Sequence, residues 1–429
     1  MHIVYNNARI IIELLKKEVN IMPTKKNKLM IVSNDLGYGE VKASIDGEYI
    51  NQPSVVAKVE DQAGNDPVDH NDENRVEQTV NSLLENLDAT INMRRYLVGL
   101  LASNSTLART TFDINSQNGK SSTDLSLILP LSLIAGKAVQ EAYEKGENIF
   151  DPISVKVVMA TALPINEVGS AESTIREQYA NRFTKGKHVV VLNNFDTPIS
   201  VTIEFVAVRV FKEGEVATVI GIQHGPRELI NSLVKYIKKN YPDRADDAED
   251  LIKDSKNVLG IDIGQGTTDM AMTSNGKADL AASNSIQEGY GTVLRYAWKN
   301  LPKMRRHFPC KDVIEFTNVL NEPAKTKLDK EKQEIATEAV ASSTGSLVES
   351  IKQNLNDALN ENNRLEVIYV FGGGSIPLGE QTDLKEQLQS ALESFMSSAV
   401  LVWVDKEYAQ KLNEIGLQLL AEALAKKFE

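Results

Sequence analysis

Apolar residues along this chain gather into two kinds of run. Short, largely apolar blocks at 29–32, 155–163, 258–263 and 365–371 read as buried strands. Alternation at Val41, Ala43 and Ile45 reads as a half-buried strand, and Asp46-Gly47 after it is a type I′ hairpin signal. Further strands are expected at 94–102, 188–192, 199–209, 278–286 and 400–404. Helical spacing appears at 121–145, with Pro130 as a kink or break, and at 170–183. It returns up to Lys239 after an interruption at Gly225-Pro226, then at 289–300, 337–360, 384–396 and from Glu407 to the end. Strands and helices in alternation point to an α/β architecture. Two segments fit neither pattern: 58–80 is polar and acidic and reads mostly as solvated loop, and 303–335 is charged and without a clear period.

Length and charge narrow the class. A chain of 429 residues can bury a large core and is expected to form two domains. Its net charge of −12 argues against a broad nucleic-acid-binding face. The single cysteine, Cys310, excludes a disulfide within the chain and a cysteine-based zinc site, which points to the cytoplasm. The longest mostly apolar run, 125–135, contains Pro130 and is too short to span a bilayer. No signal-peptide cleavage pattern, solenoid repeat or low-complexity tract stands out. Residues 1–27 read as an extension in which 9–19 form a short amphipathic helix for a membrane or partner. A second reading makes the segment non-native: Lys17-Glu18-Val19 can be encoded by a ribosome-binding sequence, which places the true start at Met22. The intact mass of natively expressed protein decides between them.

The chemistry concentrates in three glycine-bearing stretches, each following an apolar strand. In 258–272 the strand breaks at Asp262, turns through Gly264 and Gly266, offers hydroxyls at Thr267 and Thr268, and resumes after Asp269. Glycines let backbone approach a ligand, and successive N–H groups in such a turn form an anion nest. Asp262 can hold a hydrated magnesium ion. Taken alone, the same stretch also reads as a hairpin with a glycine-rich turn. A second copy of the pattern lies more than 200 residues upstream: Asp35 ends a strand, Gly37 and Gly39 turn it, and Lys42 sits on the returning strand. The third stretch, Gly372, Gly373, Gly374 and Ser375, carries no acid and suits an adenine ring better than a phosphate. Two such hairpins imply two related half-structures presenting loops to a shared cleft, where ligands of open sheets sit.

This set, in this order, resembles the actin–sugar kinase–DnaK superfamily over roughly 28–420, and within it the ParM/Alp type of plasmid-segregation actin. The resemblance rests on Asp-x-Gly-Tyr-Gly-x-x-Lys at 35–42, Pro53-Ser54, Arg95-Tyr96-x-Val98-Gly99, Leu163-Pro164, Glu213 before a helix containing Ala217, and Tyr408-Ala409 with Gly416-Leu417. Gly39 stands where Ser or Thr is common, Gln265 where glycine is common, and Lys212 where proline often precedes the glutamate. The resemblance implies an actin-like fold of two related α/β domains with mixed sheets flanking a nucleotide cleft. Domain I would comprise 28–216 with 395–429, and domain II 217–394. It implies hydrolysis of ATP, with GTP as the alternative, and magnesium held by Asp35 and Asp262. Gly37, Tyr38, Gly39 and Lys42 would hold one side of the phosphates. Gly264, Gln265, Gly266, Thr267 and Thr268 would hold the other, with Gly291, Thr292 and the 372–375 loop completing the nucleotide set. Glu213 would orient the attacking water, with Asp262 also catalytic. Read bottom-up, Glu213 also fits an exposed helix-start carboxylate, and Lys42 an outward strand lysine.

The family adds dynamic filaments that carry plasmid DNA indirectly, through a centromere-binding adaptor, in the bacterial cytoplasm and without a membrane. A small-molecule kinase of the same fold is the alternative. A DnaK-like chaperone is expected to carry a substrate domain for which the residues after Gly416-Leu417 leave no room.

Overall fold

The computed structural model describes residues 29–60, 66–113, 116, 119–168, 174–304 and 308–428. The 1–27 extension and Met22 lie outside them. The chain divides into two units, one drawn from Met1–Gly221 with Asn413–Glu429, the other Ile222–Leu412.

The first unit contains β1 (Leu29–Leu36), β2 (Glu40–Ile45), β3 (Glu48–Pro53), β4 (Val55–Lys58) and β5 (Asp88–Ile91). It continues with β6 (Arg94–Val98), β7 (Arg109–Thr111), β8 (Ile153–Leu163), β9 (His188–Leu192) and β10 (Ile199–Lys212). They form one sheet in the order β3-β2-β1-β8-β10-β9-β5-β6-β4-β7. β8 lies between β1 and β10 and runs parallel to both. Its last seven residues are all buried, as expected of a parallel strand covered on both faces. β10 alternates inward and outward until a bulge between Phe205 and Ala207 shifts its register on β8. Asp46 and Gly47 both take positive φ, the type I′ geometry their sequence predicts.

One expectation fails instructively. Helix Leu125–Glu144 runs through Pro130 without breaking. Proline removes the N–H that would reach the carbonyl of Ser126. That carbonyl instead accepts from the hydroxyl of buried Tyr179 at 3.3 Å. The helix is long and apolar enough to cross a membrane, but most of its surface is buried inside the unit.

The second unit holds β11 (Val258–Ile263), β12 (Thr268–Ser274), β13 (Lys277–Ile286), β14 (Val367–Phe371) and β15 (Val400–Trp403), in the order β13-β12-β11-β14-β15. β11, β14 and β15 are parallel, while β12 and β13 return antiparallel. Because β15 hydrogen-bonds to β14, residues 395–412 fall in the second unit rather than in domain I, and the chain re-enters the first at Asn413.

The two unassigned segments also gain structure. Helix Glu73–Asn81 takes up the end of 58–80, started by the Asp72 side chain, which accepts from the N–H of Arg75. Helices Val313–Asn321 and Lys327–Ala341 occupy 303–335, the second opened by a capping box between Thr326 and Asp329. The single helix expected at 337–360 is two. Lys327–Ala341 ends at Ser342-Ser343-Thr344, whose hydroxyls donate to carbonyls of its last turn, and Gly345–Glu361 follows.

Candidate functional site

In the first unit the β1–β2 hairpin brings Asp35 and Lys42 directly opposite each other. The turn between the strands is closed by the N–H of Gly37 donating to Glu40 O at 3.0 Å. A Cβ on Gly37 would sit 2.7 Å from that oxygen, so the turn requires glycine. Ser54, the residue after β3, braces it twice: its hydroxyl donates to Gly37 O at 2.7 Å and its N–H to Gly39 O at 2.9 Å. Tyr38 meets Phe112 edge to face. Asp35 is buried, and that burial raises its carboxyl above the usual range, against the opposing pull of Lys42 and Lys120.

Glu213 follows β10 directly, and its N–H donates to Leu163 O, the end of β8, at 3.0 Å. Its side chain is buried, so it is not an exposed helix-start carboxylate. Gly214 then takes φ +75, its N–H donates to Asn413 Oδ1, and the chain enters the π-helical turn Val216–Ile222. Gly416, of the sequence signature Gly416-Leu417, lies on that turn. A Cβ on it would sit 2.5 Å from Val216 O.

In the second unit the β11–β12 hairpin places Asp262 opposite Asp269. The N–H of Gly264 closes the turn on Thr267 O at 2.9 Å. The turn docks on the start of helix Tyr290–Met304: Tyr290 N–H donates to Gly264 O and Gly291 N–H to Gln265 O. Gly289 and Gly291 permit that approach, since a Cβ on either would lie within 2.6 Å of those carbonyls. The N–H of Gly291 therefore serves the loop itself, and the N–H of Thr292 returns to Gly289 O.

Both threonine hydroxyls are likewise engaged. Thr267 donates to Asp269 Oδ2 at 2.8 Å and Thr268 to Glu288 O at 2.9 Å. The stretch expected as a third loop is knitted into the same unit. Gly372 N–H donates to Ala409 O, Gly374 N–H to Ile263 O, and the Ser375 hydroxyl to Gly372 O. Gly373 faces the Gln410 side chain.

The family described as actin like proteins N terminal domain matches residues 33–215, and the archaeal actin homologue MreB-like C-terminal family matches residues 260–386. The chain has an actin-like fold. Among solved structures, the actin-like protein Alp7A is 18% identical with a TM-score of 0.61, covering 92% of this chain and 97% of its own. ParM of Bacillus thuringiensis, solved with AMPPNP, is 17% identical with a TM-score of 0.55, covering 93% and 99%. The archaeal actin homolog Ta0583, solved with ADP, is 16% identical with a TM-score of 0.55, covering 92% and 99%. No curated protein matches.

One residue of this actin-like chain escapes sequence reading. Lys120 is 2% exposed, and its Nζ donates to Glu213 Oε1 at 2.7 Å and to Leu36 O at 2.8 Å. The ammonium also stands 4.8 Å over the Tyr38 ring. Burial alone would lower its pKa, yet the charges around it, led by Glu213, hold it above the ordinary lysine value. Gly119, at φ +68, makes the turn that aims it, and Glu167 clamps that turn by accepting from the N–H groups of Lys120 and Ser121. The signal available in sequence was a lysine between a glycine and two serines ahead of an apolar helix. Neither serine caps that helix, which Asp124 precedes.

Proposed function

We propose that this chain is a polymerising ATPase whose dynamic filaments segregate plasmid DNA through an adaptor. The observation that carries the reading is the repeated hairpin. Each unit has a strand whose next-to-last residue is an aspartate, Asp35 or Asp262, followed by a glycine turn and an antiparallel return. The likeness to chains solved with AMPPNP and ADP supports a nucleotide as the ligand.

In this reading Gly37, Tyr38, Gly39 and Lys42 are the phosphate-contacting residues of the first unit. Gly264, Gln265, Gly266 and Thr267 are those of the second, through backbone, because the Thr267 and Thr268 hydroxyls already donate within the loop. Gly372 to Ser375 serve the base. Asp35 in the first unit and Asp262 in the second each offer a carboxylate near a strand end, the oxygen donor that magnesium takes. Asp262 Oδ1 lies where a Cβ on Gly372 would fall, so the glycine leaves that oxygen room. When bound, the ion would neutralise phosphate charge. Glu213 orients the attacking water and accepts its proton, a role that needs an ionised carboxylate. Contacts between subunits that do not close on themselves generate a filament, and hydrolysis weakens them.

Light scattering tests the reading. Magnesium and ATP should raise scattering above a threshold protein concentration, accompanied by phosphate release. Phosphate transfer that depends on an added small acceptor, without a threshold, would make the protein a kinase of the same fold.

A further inference from the structure

Lys120 is a buried cation outside the set that the motifs assign. Each direction of its ammonium is occupied: one N–H goes to Glu213, one to the carbonyl of Leu36, and the Tyr38 ring lies against the third side. Leu36 is the last residue before the first glycine turn, and Glu213 is the first after β10. One side chain therefore ties a candidate water-orienting carboxylate to the loop expected to hold phosphate, both within the first unit.

We infer that Lys120 is a positioning residue for Glu213, fixing the carboxylate in its ionised form and in one orientation relative to the first loop. This rests on the reading of Glu213 as the group that orients the water. Lys120 is a buried cation hydrogen-bonded directly to Glu213. From β1, Asp35 faces it; from β2, Lys42 faces Asp35; Tyr38 lies in the turn; and Glu167, on the short helix Ile165–Val168, is engaged by backbone N–H groups. Lys212 and Glu215 flank Glu213 in sequence but answer to each other and to Arg176, from helix Ile175–Thr184. A buried carboxylate stripped of its cation takes up a proton more readily.

The test is Lys120→Met, assayed for phosphate release from ATP across pH. The acid limb should move to higher pH by about one unit or more. Turnover at neutral pH should fall at least about tenfold with KM for ATP nearly unchanged, the pattern of a lost transition-state contact. Lys120→Arg, which keeps the charge, should return the limb towards wild type. A folded Lys120→Met protein with the wild-type limb overturns the inference.

Thermal melts of Lys120→Met, Glu213→Gln and the double variant give a second readout that needs no activity. The double variant should be more stable than the sum of the single losses predicts. Simple additivity overturns the pairing, including where Lys120→Met proves too unstable to assay. Wild-type protein without ATP hydrolysis refutes the proposed function but leaves this cycle to judge the pair.

Discussion

A Cβ built on Gly372 would stand 2.4 Å from Oδ1 of Asp262. The two residues belong to different glycine-bearing stretches, yet β11 and β14 run side by side and bring the end of one strand against the end of the other. Gly372 also takes φ +89, and the backbone N and O of Ile263 crowd the same point. Gly372→Ala thus meets strain and a clash with the Ile263 backbone, which cannot move without disturbing the hairpin, as well as with the Asp262 carboxylate. A loss of roughly 1–3 kcal/mol is expected from the backbone alone. Denaturant unfolding measures it, and nucleotide affinity should fall with it.

Glu213→Ala should separate assembly from turnover. Nucleotide can still enter, so scattering should rise with ATP as in wild type. Phosphate release should slow by on the order of 10²–10⁴-fold, the range for a lost general base. Filaments should then outlast those of wild type. Disassembly at the normal rate would remove Glu213 from the mechanism. Asp262→Ala, by contrast, should abolish hydrolysis.

Asp35 should weaken the ligand-free fold. Its carboxyl is raised in the folded protein above the ordinary 3.8, because burial outweighs the lysines nearby. The folded state therefore binds the proton more tightly than the unfolded chain, and stability is lost as pH rises from that value through the folded pKa. Asp35→Asn should raise Tm at neutral pH, with the gain shrinking as pH is lowered towards 3.8. Melts across that window check it. A lower Tm for Asp35→Asn throughout would mean that the charge is stabilising.

Arg95 fixes the far side of the same sheet. Its Nε and Nη2 donate to Asp88 Oδ1 and Oδ2 at 2.8 and 2.7 Å, and Asp88 is buried. Arg95→Met takes the cation from that carboxylate, to which Asn193 Nδ2 still donates at 3.2 Å, and should cost about 3 kcal/mol, with the partial exposure of Arg95 keeping it at the low end for a broken buried pair. Urea unfolding reads the loss. ATP hydrolysis per folded molecule should not change.

The hairpins were legible in sequence because each is a local matter. An apolar strand, an aspartate, a glycine turn and an alternating return are contiguous, and Asp46-Gly47 dictates its own turn. Lys120 was not legible, since its partners Leu36 and Glu213 lie 84 and 93 residues away and only the sheet gathers them. The continuity of the helix through Pro130 was hidden for the same reason: the hydroxyl that takes the place of the missing N–H comes from Tyr179, 53 residues from Ser126. The roles expected of the Thr267 and Thr268 hydroxyls were read from composition, and packing assigned those hydrogens to Asp269 and Glu288 instead.

The return of the chain to its first unit at Asn413 bears on biosynthesis. Ile222–Leu412 is continuous in sequence and can complete its contacts as soon as it leaves the ribosome. The first unit, although begun earlier, stays unfinished until the residues from Asn413 onward are made. Ala160, Ala162, Val216 and Ile220 wait for Leu417, Leu420 and Ala421 to cover them. The segment made first is thus the one finished last, and until then it exposes apolar surface of the kind that chaperones bind.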